Sequence, residues 1–158
     1  MAQLMATKLA LITAATVAAT IALPTTAQAL ESRQTLESPS GNIRCVLDVE
    51  PDGAPLALCQ IRDYSYSVPA GLARDDTSGE PCSGTQQGDF RLDAGQPGFI
   101  RCSYAALGGG YGTWPTLDYG QSQSIGTITC DSRTTGITCT DTASGHFFRI
   151  SRQSYELG

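Results

Sequence analysis

The chain has one histidine, one tryptophan and two methionines, and its only lysine is Lys8. Each scarcity closes off a class of function. With His146 the sole imidazole and no C-x2-C spacing anywhere, a zinc site would need four thiolates gathered from scattered positions. No metal or cofactor is expected. Beyond residue 8 every cation is an arginine, so residues 30–158 set nine arginines against fifteen carboxylates, and the formal charge of −5 becomes −6 once Lys8 is set aside. That balance excludes nucleic acid and anionic lipid as main partners, because both are held by clustered positive charge.

Long apolar runs are also missing. The longest, residues 9–23, is fifteen residues, where a membrane-crossing helix needs about 20. Its setting gives it another purpose. Lys8 precedes it, Pro24 ends it and Ala27-Gln28-Ala29 follows as a small-x-small site, which together are the three parts of a secretory signal. Cleavage is expected after Ala29. The nearest cysteine is Cys45, too far along to become a lipid-bearing first residue. The expectation is therefore a signal peptide at 1–29 and a single domain at 30–158, secreted, periplasmic or held at the cell envelope, and not integral to the membrane.

All six cysteines, Cys45, Cys59, Cys82, Cys102, Cys130 and Cys139, fall in that domain. An even number in an oxidising compartment reads as three disulfides. Antiparallel neighbours bring Cα atoms close to the spacing a disulfide needs, so of fifteen connectivities the local one is expected, joining Cys45 with Cys59, Cys82 with Cys102 and Cys130 with Cys139.

β-Branched and aromatic residues come in short runs between Gly, Pro, Asp and Ser clusters, and no stretch after residue 29 keeps a helical apolar period for three turns. The fold class expected is all-β, a small disulfide-stapled sandwich or open barrel built from hairpins with long loops. Strands are predicted at 42–49 and 56–67, 89–92 and 98–104, 124–130 and 136–140, and 145–152, with a long loop at 68–88. The stretch Gly108-Gly109-Gly110-Tyr111-Gly112-Thr113-Trp114-Pro115 is a loop, because glycine raises the cost of order and proline removes a donor. The pattern G-x-I-x-C occurs at 41–45 and again at 126–130. Two readings stay open: convergent hairpin chemistry, which is the simpler, or a duplicated unit packed about a pseudo-twofold.

The blocks Ser38-Pro39-Ser40-Gly41-Asn42-Ile43-Arg44-Cys45, Leu117-Asp118-Tyr119-Gly120, Gly136-Ile137-Thr138-Cys139 and Ser144-Gly145-His146-Phe147-Phe148-Arg149-Ile150-Ser151 together resemble an uncharacterised family of small exported, disulfide-containing proteins common in actinobacteria. The resemblance covers nearly all of residues 30–158. It implies export, and it brings no catalytic or binding residues with it.

Candidate chemistry is sparse. Asp48-Val49-Glu50-Pro51-Asp52-Gly53 begins like a calcium loop, but its twelfth position is Cys59 and the required carboxylate is absent. It reads as a hairpin turn. His146 with Asp141 could suggest a hydrolase, yet Gly120-Gln121-Ser122-Gln123-Ser124 is not a nucleophile elbow, and no other motif positions a hydroxyl. Asp75, Asp76 and Glu80 could serve glycoside hydrolysis only at a carboxylate separation that sequence does not give. No catalytic residue is assigned. What remains is the aromatic set Tyr104, Tyr111, Trp114 and Tyr119, spread over a glycine-rich stretch. Rings on a braced loop suit sugar stacking or a protein hot spot, but Trp and Tyr also fill cores, and core packing is the simpler of the two readings. The function expected is an exported, non-enzymatic binding module for an envelope glycan or protein, and the alternative is a small secreted hydrolase using His146.

Overall fold

The computed structural model describes residues 33–83, 88–103, 105–108 and 112–158. Residues 1–29, Tyr104 and Tyr111 lie outside the described residues, so nothing structural follows for them. Among the described residues ten strands form: β1 Arg33–Glu37, β2 Ile43–Val49, β3 Pro55–Ile61, β4 Gly88–Asp93, β5 Phe99–Cys102, β6 Ser122–Ile125, β7 Ile128–Arg133, β8 Gly136–Asp141, β9 Phe147–Ile150 and β10 Tyr155–Leu157. There is no helix among the described residues. Strands β1 to β5 make one antiparallel sheet in chain order, and β6 to β10 make a second in the same way. The sheets stay separate rather than closing into a barrel. Of the two architectures expected, the fold is the sandwich.

The alternation along each strand decides which residues fill it. In β7 and β8, buried positions alternate with half-exposed ones, the period-2 pattern of a sheet with one face on the core. In β2 and β3 the alternation is masked because the outer face is apolar too. Ile43, Cys45, Leu47, Ala57, Cys59 and Ile61 point inward to the main core. Val46, Leu56 and Leu58 point outward into a smaller cluster with Leu107.

The two sheets repeat one row of side chains. Across the first, Leu36, Cys45, Cys59, Phe90 and Ile100 are paired in register. Across the second, Gln123, Cys130, Cys139, Phe148 and Leu157 are paired in the same sequence of strands. The rows face each other: the Cys59 and Cys139 sulfurs lie 3.8 Å apart, and the Phe90 and Phe148 rings are 6.0 Å apart. Equivalent residues touching one another is the arrangement a pseudo-twofold produces. The likeness of the two G-x-I-x-C segments thus extends to a phenylalanine one strand further on, which the sequence comparison did not reach.

Three disulfides join Cys45 to Cys59, Cys82 to Cys102 and Cys130 to Cys139, and no cysteine is free. The first and third connect residues directly opposite on neighbouring strands. The second ties the loop before β4 to the end of β5.

Strand limits depart from the sequence expectation where turns are short or strands polar. The expected strand at 124–130 is two strands, because Gly126, at φ +53°, turns the chain between β6 and β7. The expected 56–67 strand stops at Ile61. Strands β1 and β10, sequences RQTLE and YEL, were not expected at all.

A polar cleft at one end of the sandwich

Because both sheets are meanders, their turns fall at two ends. One end gathers the turns 38–42, 134–135 and 151–154, and there a cleft of about 370 Å³ opens. The first wall is the Ser38-Pro39-Ser40-Gly41 turn. Gly41 N donates to the Ser38 carbonyl at 2.8 Å, with proline second and glycine fourth as a type I turn prefers. Ile43 N donates to Ser38 Oγ at 3.0 Å. Asn42 then joins this turn to the segment after β3, donating through Nδ2 to the Asp63 carbonyl at 2.9 Å and accepting from Asp63 N at 2.8 Å. The S-P-S-G-N block builds a wall.

The opposite wall carries Tyr119, one of the binding residues expected from the sequence. It is exposed, at 46 %, yet its backbone is fixed. Gln121 N donates to the Asp118 carbonyl at 3.0 Å, and Gly120 sits third in that turn at φ +87°, where a type II turn needs a residue free to be left-handed. The turn is clamped to β7 by Gly120 N on the Ser132 carbonyl at 2.7 Å and Ser132 N on the Gln121 carbonyl at 2.9 Å. An exposed ring on a fixed turn offers contact area at little entropic cost.

The lining also includes two exposed residues that the sequence did not single out, Arg133 at the end of β7 and Arg152 in the β9–β10 turn. Gly136 lets these turns close up: a Cβ there would fall 2.1 Å from the Ile150 carbonyl oxygen. The Arg152 carbonyl accepts from Ser65 N at 2.8 Å, which fixes the turn. Among the described residues, the side chains of Arg133, Arg152 and Asp63 form no hydrogen bond or ion pair. The other arginines are engaged. Arg33, Arg44, Arg91, Arg101 and Arg149 sit in ion pairs, Arg62 donates to the Gly41 carbonyl, and Arg74 lies over the Phe99 ring.

Trp114, expected beside Tyr119 on one loop, has different neighbours. It is half-buried and packs on the outer cluster of Val46, Leu56, Leu58 and Leu107, with the Arg44 guanidinium 5.1 Å from its ring centre. Its segment runs along the free edge of β1, where Glu37 N donates to the Pro115 carbonyl and Leu117 N to the Glu37 carbonyl, both at 2.9 Å. This covers an edge that would otherwise be open to another strand.

His146 lies in the β8–β9 turn, at the far end from the cleft. Its backbone is used, the carbonyl accepting from Asp141 N at 2.8 Å, but no described carboxylate or hydroxyl hydrogen-bonds its ring. Asp141, the acidic partner imagined for it, is occupied elsewhere. Its carboxylate accepts from Ser144 Oγ at 2.6 Å, Ala143 N at 3.2 Å and Gly95 N at 2.8 Å. The Ser144 bond foremost, then the Thr127 side chain and the other bonds, hold its carboxyl well below the usual carboxylate range. Gly95 belongs to the β4–β5 turn, so Asp141 pins one sheet to the other.

A group whose folded pKa is depressed contributes stability above its unfolded pKa of about 3.9 and loses it as pH falls further. Asp141→Asn should therefore be less stable than wild type at pH 7, with the difference shrinking steadily as pH is lowered from about 5 toward 2. Urea melts at several pH values measure this. A difference that stays constant across that range would show that the Asp141 charge has no part in joining the sheets.

Of the remaining carboxylates expected as candidates, those of Asp75, Asp76 and Asp48 make structural contacts. Asp75 Oδ1 accepts from Thr77 N and Ser78 N within its own turn, Asp76 bridges Arg91 and Arg101, and Asp48 pairs with Arg33. Glu80 fixes that turn through its carbonyl, which accepts from Asp75 N at 2.8 Å. The turn at 50–54 closes through Gly53 N on the Glu50 carbonyl. Asp89 is buried on β4 against Gln60 and Arg101, and burial pushes its carboxyl up despite them. The sulfurs of Cys45, Cys59 and Cys139 cluster closely enough to suggest a metal site, but all three are in disulfides and hold no thiolate.

No protein-family model, curated protein or solved structure matches the chain.

Proposed function

We propose that this chain is an exported binding module, acting at the cell envelope or in the medium, that takes its ligand in the polar end cleft without covalent chemistry. Three disulfides are typical of extracellular proteins, and no described helix is long and apolar enough to cross a membrane. The observation that carries the reading is the pair of unengaged guanidiniums, Arg133 and Arg152, beside an exposed ring on a fixed turn. Binding residues concentrate on loops held by a rigid scaffold, and this cleft is built from the turns of both sheets.

The test is retention of the oxidised protein on immobilised envelope material. Tyr119→Ala and the double variant R133Q/R152Q alter exposed side chains, and each should keep the wild-type melting curve while losing at least tenfold in retention. Retention that survives both changes and disappears in Trp114→Ala would move the site to the outer face of the first sheet.

A further inference from the structure

We propose that the ligand of this cleft is an acidic saccharide, a chain of uronic-acid-type pyranoses that places carboxylates on Arg133 and Arg152 and one sugar face on Tyr119; the inference rests on the cleft being the binding site.

The charge comes first. In other clefts, guanidiniums are already engaged: Arg44 pairs with Glu37 and Arg62 donates to the Gly41 carbonyl, and Arg91 meets Glu50, Asp76 and Asp93 at 2.7, 3.2 and 2.8 Å beside the β2–β3 turn. In the loop cleft at 74–79, Arg74 lies over Phe99, and Asp76 is shared by Arg91 and Arg101. Among the described residues, the end cleft alone of these sets two unengaged arginines against one carboxylate, Asp63. In a chain of net charge −5, that is a local excess of positive charge, exposed to solvent and open to an anion. Arginine presents a planar fork of donors that matches a carboxylate in two parallel bonds.

The rest of the lining selects a sugar over a peptide. Ser40, Thr134, Thr135 and Gln153 present hydroxyl and amide groups, which suit a ligand that both donates and accepts around its rim. A peptide anchored by side chains needs apolar pockets at its core, and among the described residues the only ring in this lining is Tyr119. A flat exposed ring flanked by hydroxyl partners fits the C–H face of a pyranose. Asp63, with its backbone fixed by Asn42, would accept from sugar hydroxyls and repel a carboxylate placed wrongly, so it sets direction along the chain. The volume of about 370 Å³ is near the low end of the roughly 300–1,000 Å³ of small-ligand sites, which suits a short stretch of a polymer.

The experiment is calorimetric titration of the oxidised protein with three probes of six units each: hexagalacturonate, maltohexaose and hexaglutamate. Hexagalacturonate should bind at least tenfold tighter than either of the others, weaken as salt rises, and weaken at least fivefold in Arg133→Gln and in Tyr119→Ala, with partial recovery in Arg133→Lys. Maltohexaose binding as tightly, with the same dependence on Tyr119, would overturn the acidic class while leaving the cleft as the binding site. Hexaglutamate binding as tightly would overturn the saccharide and favour an acidic peptide. Failure of all three to bind would overturn the assignment, and the retention assay would decide separately whether the cleft binds anything.

Discussion

Phe90→Ala and Phe148→Ala should each cost about 3–5 kcal/mol, the loss expected when a large buried aromatic is cut back to a methyl. Both rings are fully buried, at 1 % and 0 % exposure, and they are where the two sheets meet. Phe90 also touches Tyr155, at 5.5 Å between centroids, which in turn touches Tyr66 at 5.1 Å. Tyr66 stacks on Tyr64 at 4.5 Å, so an aromatic chain runs from the sheet interface to the segment after β3. Burial and the neighbouring tyrosines push the Tyr66 hydroxyl well above the ordinary tyrosine range. Because the two phenylalanines are in contact, the double variant should cost less than the sum, by about 0.5–1.5 kcal/mol. Urea unfolding of the four proteins measures both quantities. Strict additivity would mean that the paired rows do not pack as one unit.

The disulfides give a second large effect, and here loop length and packing point in opposite directions. In the chain-entropy account, sequence separations of 14, 20 and 9 correspond to about 3.0, 3.3 and 2.6 kcal/mol. Cys82–Cys102 would rank first. Those values differ by less than 1 kcal/mol, however, while Cys45, Cys59, Cys130 and Cys139 are all at 0 % exposure and in contact across the sandwich, whereas Cys82 is only half-buried. Removing either inner bond as a pair of alanines leaves a cavity as well as a longer free chain. C45A/C59A and C130A/C139A should each cost about 4–5 kcal/mol, near the upper end of the usual range for a small secreted domain, and C82A/C102A about 2–3 kcal/mol. If C82A/C102A proved the most destabilising, chain entropy rather than packing would govern this fold.

The parts of the fold that were legible in the sequence are those set by local chemistry. Cysteines on antiparallel neighbours bond to each other, and Gly-Pro-Asp clusters mark the turns. Strands β1 and β10 were not legible, because RQTLE and YEL are short and mostly polar, and they become strands only by completing the edges of sheets whose centres lie elsewhere in the chain. Gly126 within a run of β-formers hid a two-residue turn for the same reason.

The candidate site was legible only in part. Tyr119 stood out as an aromatic in a loop, but grouping it with Trp114 by proximity in sequence joined residues that the fold separates. Five positions of extended chain carry Trp114 to the outer face of the first sheet and Tyr119 to the end cleft. Arg133, Arg152 and Asp63 gave no signal, since a lone arginine in a hairpin turn looks like any solvated charge. Their meaning comes from convergence of three distant turns and from having no partner among the described residues while the other arginines have one.

The most direct measurement is an amide and arginine side-chain NMR titration of the ¹⁵N-labelled oxidised domain with hexagalacturonate. The account predicts shifts concentrated at 38–42, 63, 118–121, 133–136 and 151–153, including the Arg133 and Arg152 Nε–H signals, with the Trp114 indole and the Arg44 Nε–H unmoved. Shifts centred on Trp114, Arg44 and Leu107, with the end cleft silent, would contradict it.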